Sequence, residues 1–430
     1  MFKKTLALLL AVIMCLAVSV SFIACGDDKP TPDDDPKTQK DPSVAPLAAV
    51  ALGEKFTVPA DFKIGFILLH DENSTYDLNF INAIKTIQAH LGLTDDQIII
   101  KTNVPEEGND CYNAAKELVE KNCKIVFADS FGHEANMIKA AREFKDVQFC
   151  HATGTKALTE NLPNYHNAFA SIYEGRFLAG VAAGMKLNEM ISSGKITADQ
   201  AVIGYVGAYP YAEVVSGYTS FFLGARMICP SATMKVRYTS SWYSEASEAE
   251  AATSLINIDK CVLISQHADS MGAPNTCERA GVPNVSYNGS TVEACPETFI
   301  ISSAINWAPY YYYIIDGVVN NKTIDANWCG SIKTGSVILS VLNGDAAAPG
   351  TLAKIQEIAA KLSDGTLHVF DTNSFTVEGK KLESYKADVI DLGDYEGETN
   401  VIKDGYFHES TERSAPYFDL RIDGITEINK

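Results

Sequence analysis

The pattern of apolar and polar positions is sharpest over Lys63–Ala83. Ile64–Leu69 is a short apolar run, His70–Asp77 is polar, and Leu78, Ile81, Ile84 and Ile87 then recur at helical spacing. A run of that length suits a strand buried on both faces, and the spacing that follows suits a helix with one buried face. Strand, polar loop and helix form the repeating unit of a doubly wound parallel sheet. In such sheets ligands sit beyond the carboxyl ends of the strands, so the His70–Asp77 loop is expected to line a site.

The alternation continues. Strands are expected at Gln97–Lys101, Lys124–Ala128, Val147–His151 and His166–Ile172, with helices at Tyr112–Val119, Glu134–Phe144 and Glu174–Met190. The last of these holds Gly175, Gly180 and Gly184, a spacing that lets a helix approach its neighbours closely. The pattern then restarts. Strands are expected at Ala201–Val206, Met234–Thr239, Cys261–Ser265, Val285–Tyr287 and Thr298–Ser303, and helices at Ala212–Met227 and Glu245–Ile256. The expected fold is therefore α/β, two doubly wound lobes facing each other across a cleft, the common place for a small ligand.

The front of the chain changes the picture of where it works. Two lysines, Lys3 and Lys4, precede the apolar run Thr5–Val20, and Cys25 follows. This is the layout of a secretory signal. Phe22-Ile23-Ala24-Cys25 resembles a bacterial lipobox, whose cysteine is lipidated; Phe22 departs from the usual leucine. Gly26–Pro46 is rich in Asp, Pro and Lys and nearly devoid of apolar residues, a composition that cannot offset its own ordering entropy. It reads as a disordered tether from a lipid anchor on the extracytoplasmic or periplasmic face of the cell membrane. Removing the two signal lysines takes the formal charge from −19 to −21. So acidic a chain is a poor partner for nucleic acid.

Candidate chemistry narrows the classes further. Beyond Cys15 and Cys25, eight cysteines remain, with no C-x-x-C pair and no histidine cluster, so no zinc site is expected. Cys123 and Cys261 each open an apolar run and read as small buried hydrophobes. Asp71, Asn73, Thr75 and Asp77 imitate the early ligands of a calcium loop, but Tyr76 stands where glycine is needed and Asn82 where a glutamate is needed. His267, Asp269 and Ser270 supply the residue types of a triad at a spacing too short to converge as one, and no Gly-x-Ser-x-Gly elbow is present. Neither an enzyme nor a cofactor is expected.

An ordered set of motifs carries a resemblance over roughly Lys63 to the C-terminus. It includes Ser130-Phe131-Gly132, Tyr173-Glu174-Gly175-Arg176-Phe177-Leu178-Ala179-Gly180, Ile203-Gly204-Tyr205-Val206-Gly207 and Pro210 with Glu213-Val214. Leu223-Gly224-Ala225, Ser241-Trp242, Gln266-His267-Ala268-Asp269-Ser270, Asn306-Trp307-Ala308-Pro309-Tyr310-Tyr311 and Trp328–Gly335 complete it. The chain resembles the basic membrane protein family of bacterial lipoproteins, the purine-nucleoside-receptor type of substrate-binding protein for ABC transporters. The resemblance implies a periplasmic-binding-protein fold with three hinge crossings, near Ser171, Thr298 and Trp328. The domains follow: signal peptide 1–24, lipidated cysteine and disordered linker 25–58, lobe 1 at 59–170 plus 298–328, lobe 2 at 171–297 plus 329–430.

The same resemblance implies a ligand-binding set of Asp71, Ser74, Tyr76, Phe131, Tyr209, Trp242, His267, Asp269, Asn288, Asn306 and Trp307. Phe131 matches a position that stacks on the purine, with Trp242 and Tyr209 closing the sandwich from the other lobe. Asp71 matches a first-loop aspartate suited to a base edge or an amine. Asn288 and Asn306 fall where relatives hold the ribose with an aspartate and a lysine, and Ser74 replaces an aromatic, so a free purine base is expected to bind comparably to its nucleoside. The expected function is a lipid-anchored, monomeric solute receptor that delivers a purine nucleoside or base to an ABC permease. The alternative is a ligand-sensing lipoprotein that passes its closed state to a signalling partner.

Overall fold

The computed structural model describes residues 40–389 and 397–429. Cys25 and the expected signal lie outside the described residues. The first lobe is built from β1 (Lys63–Ile67), α1 (Thr75–Leu91), β2 (Ile98–Lys101), α2 (Asp110–Glu120), β3 (Cys123–Ala128), α3 (Glu134–Glu143), β4 (Gln148–Ala152) and β5 (Tyr165–Ala170). The second takes α4 (Ile172–Ser192), β6 (Val202–Gly207), α5 (Ala212–Ile228), β7 (Thr233–Tyr238), α6 (Glu245–Asn257), β8 (Leu263–His267), α7 (Gly272–Ala280), β9 (Asn284–Tyr287) and β10 (Phe299–Ile305). The chain returns to the first lobe for α8 (Ala308–Val319) and β11 (Asn327–Gly330). It ends in the second with β12 (Val337–Leu339), α9 (Thr351–Asp364) and β13 (Ile425–Glu427).

The first sheet runs β11-β5-β4-β3-β1-β2 and the second β12-β10-β9-β8-β6-β7-β13. All pairings in the first are parallel, and in the second only β12 runs antiparallel, against β10. In each lobe the strand order reverses beside the first strand, between β1 and β3 and between β6 and β8. That reversal opens the crevice in which such sheets bind ligands.

The apolar runs become central strands because both faces are covered. Phe66, Phe127 and Ile125 pack with Phe80, Ile84 and Ile87 of α1 in one core, and Tyr205, Val236 and Leu263 pack with α4 and α5 in the other. The expected close helix contact is present. A Cβ on Gly180 would come within 2.0 Å of the Phe221 carbonyl oxygen, and one on Gly224 within 2.0 Å of the Phe177 carbonyl oxygen. Two glycines thus interlock α4 and α5 backbone to backbone.

Two expectations about organisation are revised. Phe299–Ile305 pairs with β9 and not with the first sheet, so the second crossing falls at Asn306 rather than near Thr298. The three crossings lie side by side: Ser171 N–H donates to the Gly330 carbonyl at 2.7 Å, and Asn306 N–H to the Ser336 carbonyl at 2.8 Å. The linker, expected to be disordered through residue 58, is held against the body from residue 40 onward. Asp41 accepts from Leu352 N–H at 3.0 Å, and the Val44 carbonyl from Leu342 N–H at 2.9 Å, both in the second lobe. Farther on, the Glu54 carbonyl accepts from Tyr312 Oη at 2.9 Å and Phe56 packs edge-on to Tyr312 at 5.6 Å, both in the first. Main-chain hydrogen bonds, which composition does not report, hold this strap.

Candidate ligand site between the lobes

The loops at the carboxyl ends of both sheets converge on one cavity enclosing about 430 Å³ of empty space, part of it open to solvent. The first lobe lines it with Leu69 and His70 after β1, Tyr76 and Asp77 from α1, Ser130 and Phe131 after β3, and Thr153 after β4. The second contributes Glu213 from the first turn of α5, Trp242 after β7, His267 and Asp269 at the end of β8, and Tyr287 and Asn288 at the end of β9.

Local sequence explains the placement. Ser74 caps α1, its hydroxyl accepting from Asp77 N–H at 3.2 Å, and the helix start then aims Tyr76 and Asp77 inward. Tyr76 Oη donates to the Asp129 carbonyl at 2.7 Å. Glu106 clamps the loop that carries Phe131, accepting from Ser130 Oγ at 2.5 Å and Gly132 N–H at 2.7 Å. Any Cβ at Gly132 would sit 2.7 Å from the Glu106 side chain, so glycine is what permits the clamp. Phe131 itself is 42% exposed. Thr153 and Asn288 both adopt left-handed backbone, at φ 61° and 62°. Asparagine tolerates that region; a β-branched threonine does not, and such strain gathers at binding sites.

The cavity is acidic. Asp77 accepts from His70 N–H at 2.8 Å, and behind it Asp129 accepts from Leu69 N–H at 3.0 Å. Burial, and then the charge of Asp77, pushes the Asp129 carboxyl well above its ordinary range. Asp269 is likewise pushed up, by burial first and then by Glu248, and accepts from Asn288 Nδ2 at 3.2 Å. His267 is held below its ordinary range by burial, which outweighs the opposing pull of Glu213. A buried cation stands behind this wall. Arg176 donates to Ser265 Oγ at 2.7 Å and Tyr205 Oη at 3.1 Å, with its guanidinium carbon 5.2 Å from the Tyr287 ring centre.

Six of the expected residues, Tyr76, Phe131, Trp242, His267, Asp269 and Asn288, meet at the cavity. The other five do not line it. Asp71 folds back onto Asn73, accepting from its N–H at 3.0 Å, and Asp77 takes the place expected of it. Ser74 is consumed as a helix cap. Tyr209 stacks on Tyr211 at 5.0 Å, outside the cavity lining. Asn306 belongs to the hinge, its Nδ2 donating to the Gly335 carbonyl at 3.0 Å. Trp307 is 1% exposed and stacks on Phe80 at 4.5 Å in the core of the first lobe. The argument from a lost acid–lysine pair at the sugar therefore stands on Asn288 alone. Sequence reasoning did not select Asp77, Glu213 or Tyr287 for the site, although Glu213 lies in a matching motif.

Among the described residues no three His, Cys, Asp or Glu side chains are placed to hold a metal ion, and the eight cysteines are free thiols. No described helix is long and apolar enough to cross a membrane.

Two α/β lobes, three adjacent crossings and a cavity where the loops at both switch points meet are the arrangement of a two-lobed ligand-binding fold. Comparison with known proteins gives the family. The family model described as ABC transporter substrate-binding protein PnrA-like matches residues 71–363, and the chain belongs to that family. It is 30% identical over 337 residues to a purine-binding protein of Brucella abortus, covering 76% of this chain and 88% of that one. It is 32% identical over 232 residues to a putative ABC transporter glucose-binding protein of Haloferax volcanii, 54% of this chain and 55% of that one. In fold it is similar to an ABC transporter solute-binding protein of Conexibacter woesei, with a TM-score of 0.57 and 16% identity over 71% of this chain and 98% of that one. Proteins of this family bind ligands for an ABC permease, outside the cytoplasm, and are not enzymes.

Proposed function

We propose that this chain is the lipid-anchored receptor of an ABC importer and carries a purine base or nucleoside in the cavity between its lobes. The observation that carries the ligand class is the pairing of aromatic walls from opposite lobes, Phe131 from one and Trp242 from the other, around carboxylates suited to N–H groups. A flat heteroaromatic ring with N–H edges satisfies both, since stacking rewards the faces and hydrogen bonds the rim. The purine-binding relative from Brucella abortus supports the same class. The glucose-binding relative aligns with only about half of this chain.

Native mass spectrometry of protein purified without denaturation tests this reading. A bound mass equal to a purine base or nucleoside supports it, and a hexose in that place contradicts it. Anchoring is tested separately with labelled palmitate, which should enter the parent and not Cys25→Ser.

A further inference from the structure

The polar lining of the cavity is lopsided. Asp77, Glu213 and Asp269 face it, and among the described residues no lysine or arginine does. Four of the neighbouring donors are engaged within the protein. Tyr76 Oη donates to the Asp129 carbonyl, Ser130 Oγ to Glu106, Thr153 Oγ1 to the Ala152 carbonyl at 2.6 Å, and Asn288 Nδ2 to Asp269. Beside Glu213, His267 remains open. Its ring is 2% exposed, packs 4.1 Å from the Tyr287 ring centre, and has no hydrogen-bond partner on either nitrogen. Its Nε2 lies 3.6 Å from Glu213 Oε1, beyond hydrogen-bond reach. A buried polar side chain without a partner is rare in a native fold and calls for something to satisfy it. Here that group lies beside an acceptor, at the wall of a cavity.

We propose that the site selects an amino-bearing purine over its oxo counterpart, with Glu213 and Asp77 accepting from the amine and ring N–H groups and His267 serving a ring nitrogen. The inference rests on the purine reading above. An exocyclic amine brings two hydrogens to a wall of carboxylate oxygens. A carbonyl placed against Glu213 and Asp77 sets acceptor against acceptor. Discrimination of this kind exceeds what shape alone provides, because the wrong ligand leaves the buried acceptors unpaired. Adenine and hypoxanthine test it as a pair. They share a ring system and differ at the amine against the carbonyl and at the neighbouring ring nitrogen.

The experiment is calorimetric titration of the ligand-free full chain with adenine and with hypoxanthine, in the parent and in Glu213→Gln. Adenine is expected to bind more tightly by at least about tenfold. Glutamine can donate to a carbonyl, so the variant should bring the two ligands within about threefold or reverse their order, with the melting temperature of the unliganded protein little changed. Hypoxanthine binding as well as adenine to the parent would overturn the inference and leave the purine reading intact. So would an unaltered ratio in a folded Glu213→Gln. If that variant does not fold, the parent's ratio decides alone. Absence of binding by either base and by their nucleosides would instead remove the purine reading, and this inference with it.

Discussion

Asn79 in the first lobe donates its side-chain amide to the main-chain carbonyl of Asn288 in the second, at 2.9 Å. Close by, Thr75 donates both its N–H and its Oγ1–H to the Asp269 carbonyl, each at 3.2 Å. The start of α1 is thus bonded to the loops that line the far wall of the cavity. Bonds between the lobes are lost if the cleft opens, so they favour the closed arrangement and thereby the affinity. Asn79→Ala is expected to weaken ligand binding by about 0.5–1.5 kcal/mol, the net worth of one hydrogen bond. The loss should appear as faster release in stopped-flow traces. An unchanged release rate would mean that the bond does not hold the closed state.

Phe131 carries little of the fold and much of the site. With the ring 42% exposed and its loop held by Glu106, Phe131→Ala should leave the melting temperature nearly unchanged. Binding should weaken by about 1–3 kcal/mol through lost stacking and lost apolar contact. Calorimetry on the folded variant checks both halves of this expectation.

Trp307 should behave in the opposite way. It is buried and stacked on Phe80 in the first lobe's core, so Trp307→Ala opens a cavity there and is expected to cost about 3–5 kcal/mol of stability. Denaturant unfolding measures that loss. A variant of full stability with weakened binding would return Trp307 to the site.

Stability should depend on pH through three carboxyls, Glu248 and Glu409 buried and Glu174 half-buried. Burial pushes Glu409 up to about 8, and Glu174 and Glu248 each up to about 7, from an ordinary value of 4.5. A buried acid with a raised value binds its proton more tightly folded than unfolded. Its contribution is therefore whole below the unfolded value and falls as pH rises toward the folded one. The protein is expected to lose stability from about pH 4.5 to pH 8 on account of these groups. Glu409→Gln keeps the shape without the charge, so its melting temperature should fall less than the parent's between the two ends of that range. Parallel curves for parent and variant would show that Glu409 does not titrate in this way.

Much of the fold was legible because buried parallel strands leave unbroken apolar runs, and Ile64–Leu69 and Lys124–Ala128 are such runs. Gly180 could be read as a close helix contact because glycine inside a helix is otherwise a cost. The site was legible at strand ends and in the loops just beyond them, as His267, Asn288, Phe131 and Trp242 show. Asp71 and Asp77 show the limit. They share one loop, and only the phase of α1, fixed once Ser74 caps it, decides which of them faces the cavity. Asn306 and Trp307 were misplaced for a different reason. The pairing of Phe299–Ile305 with β9 moves the crossing to Asn306 itself, and an apolar strand carries no mark of the sheet it joins. The strap is held in part by main-chain carbonyls at Val44 and Glu54, which every sequence possesses.

The central claim is that the cavity between Phe131 and Trp242 takes a purine. Its most direct test is titration of ligand-stripped, refolded protein with adenine, guanine, hypoxanthine, their ribonucleosides and glucose, followed by calorimetry. Binding of at least one purine with a dissociation constant of about 1 μM or below, equivalent to roughly −8.2 kcal/mol, is the result predicted, with glucose silent. Glucose binding in that range, with every purine silent, would contradict the account.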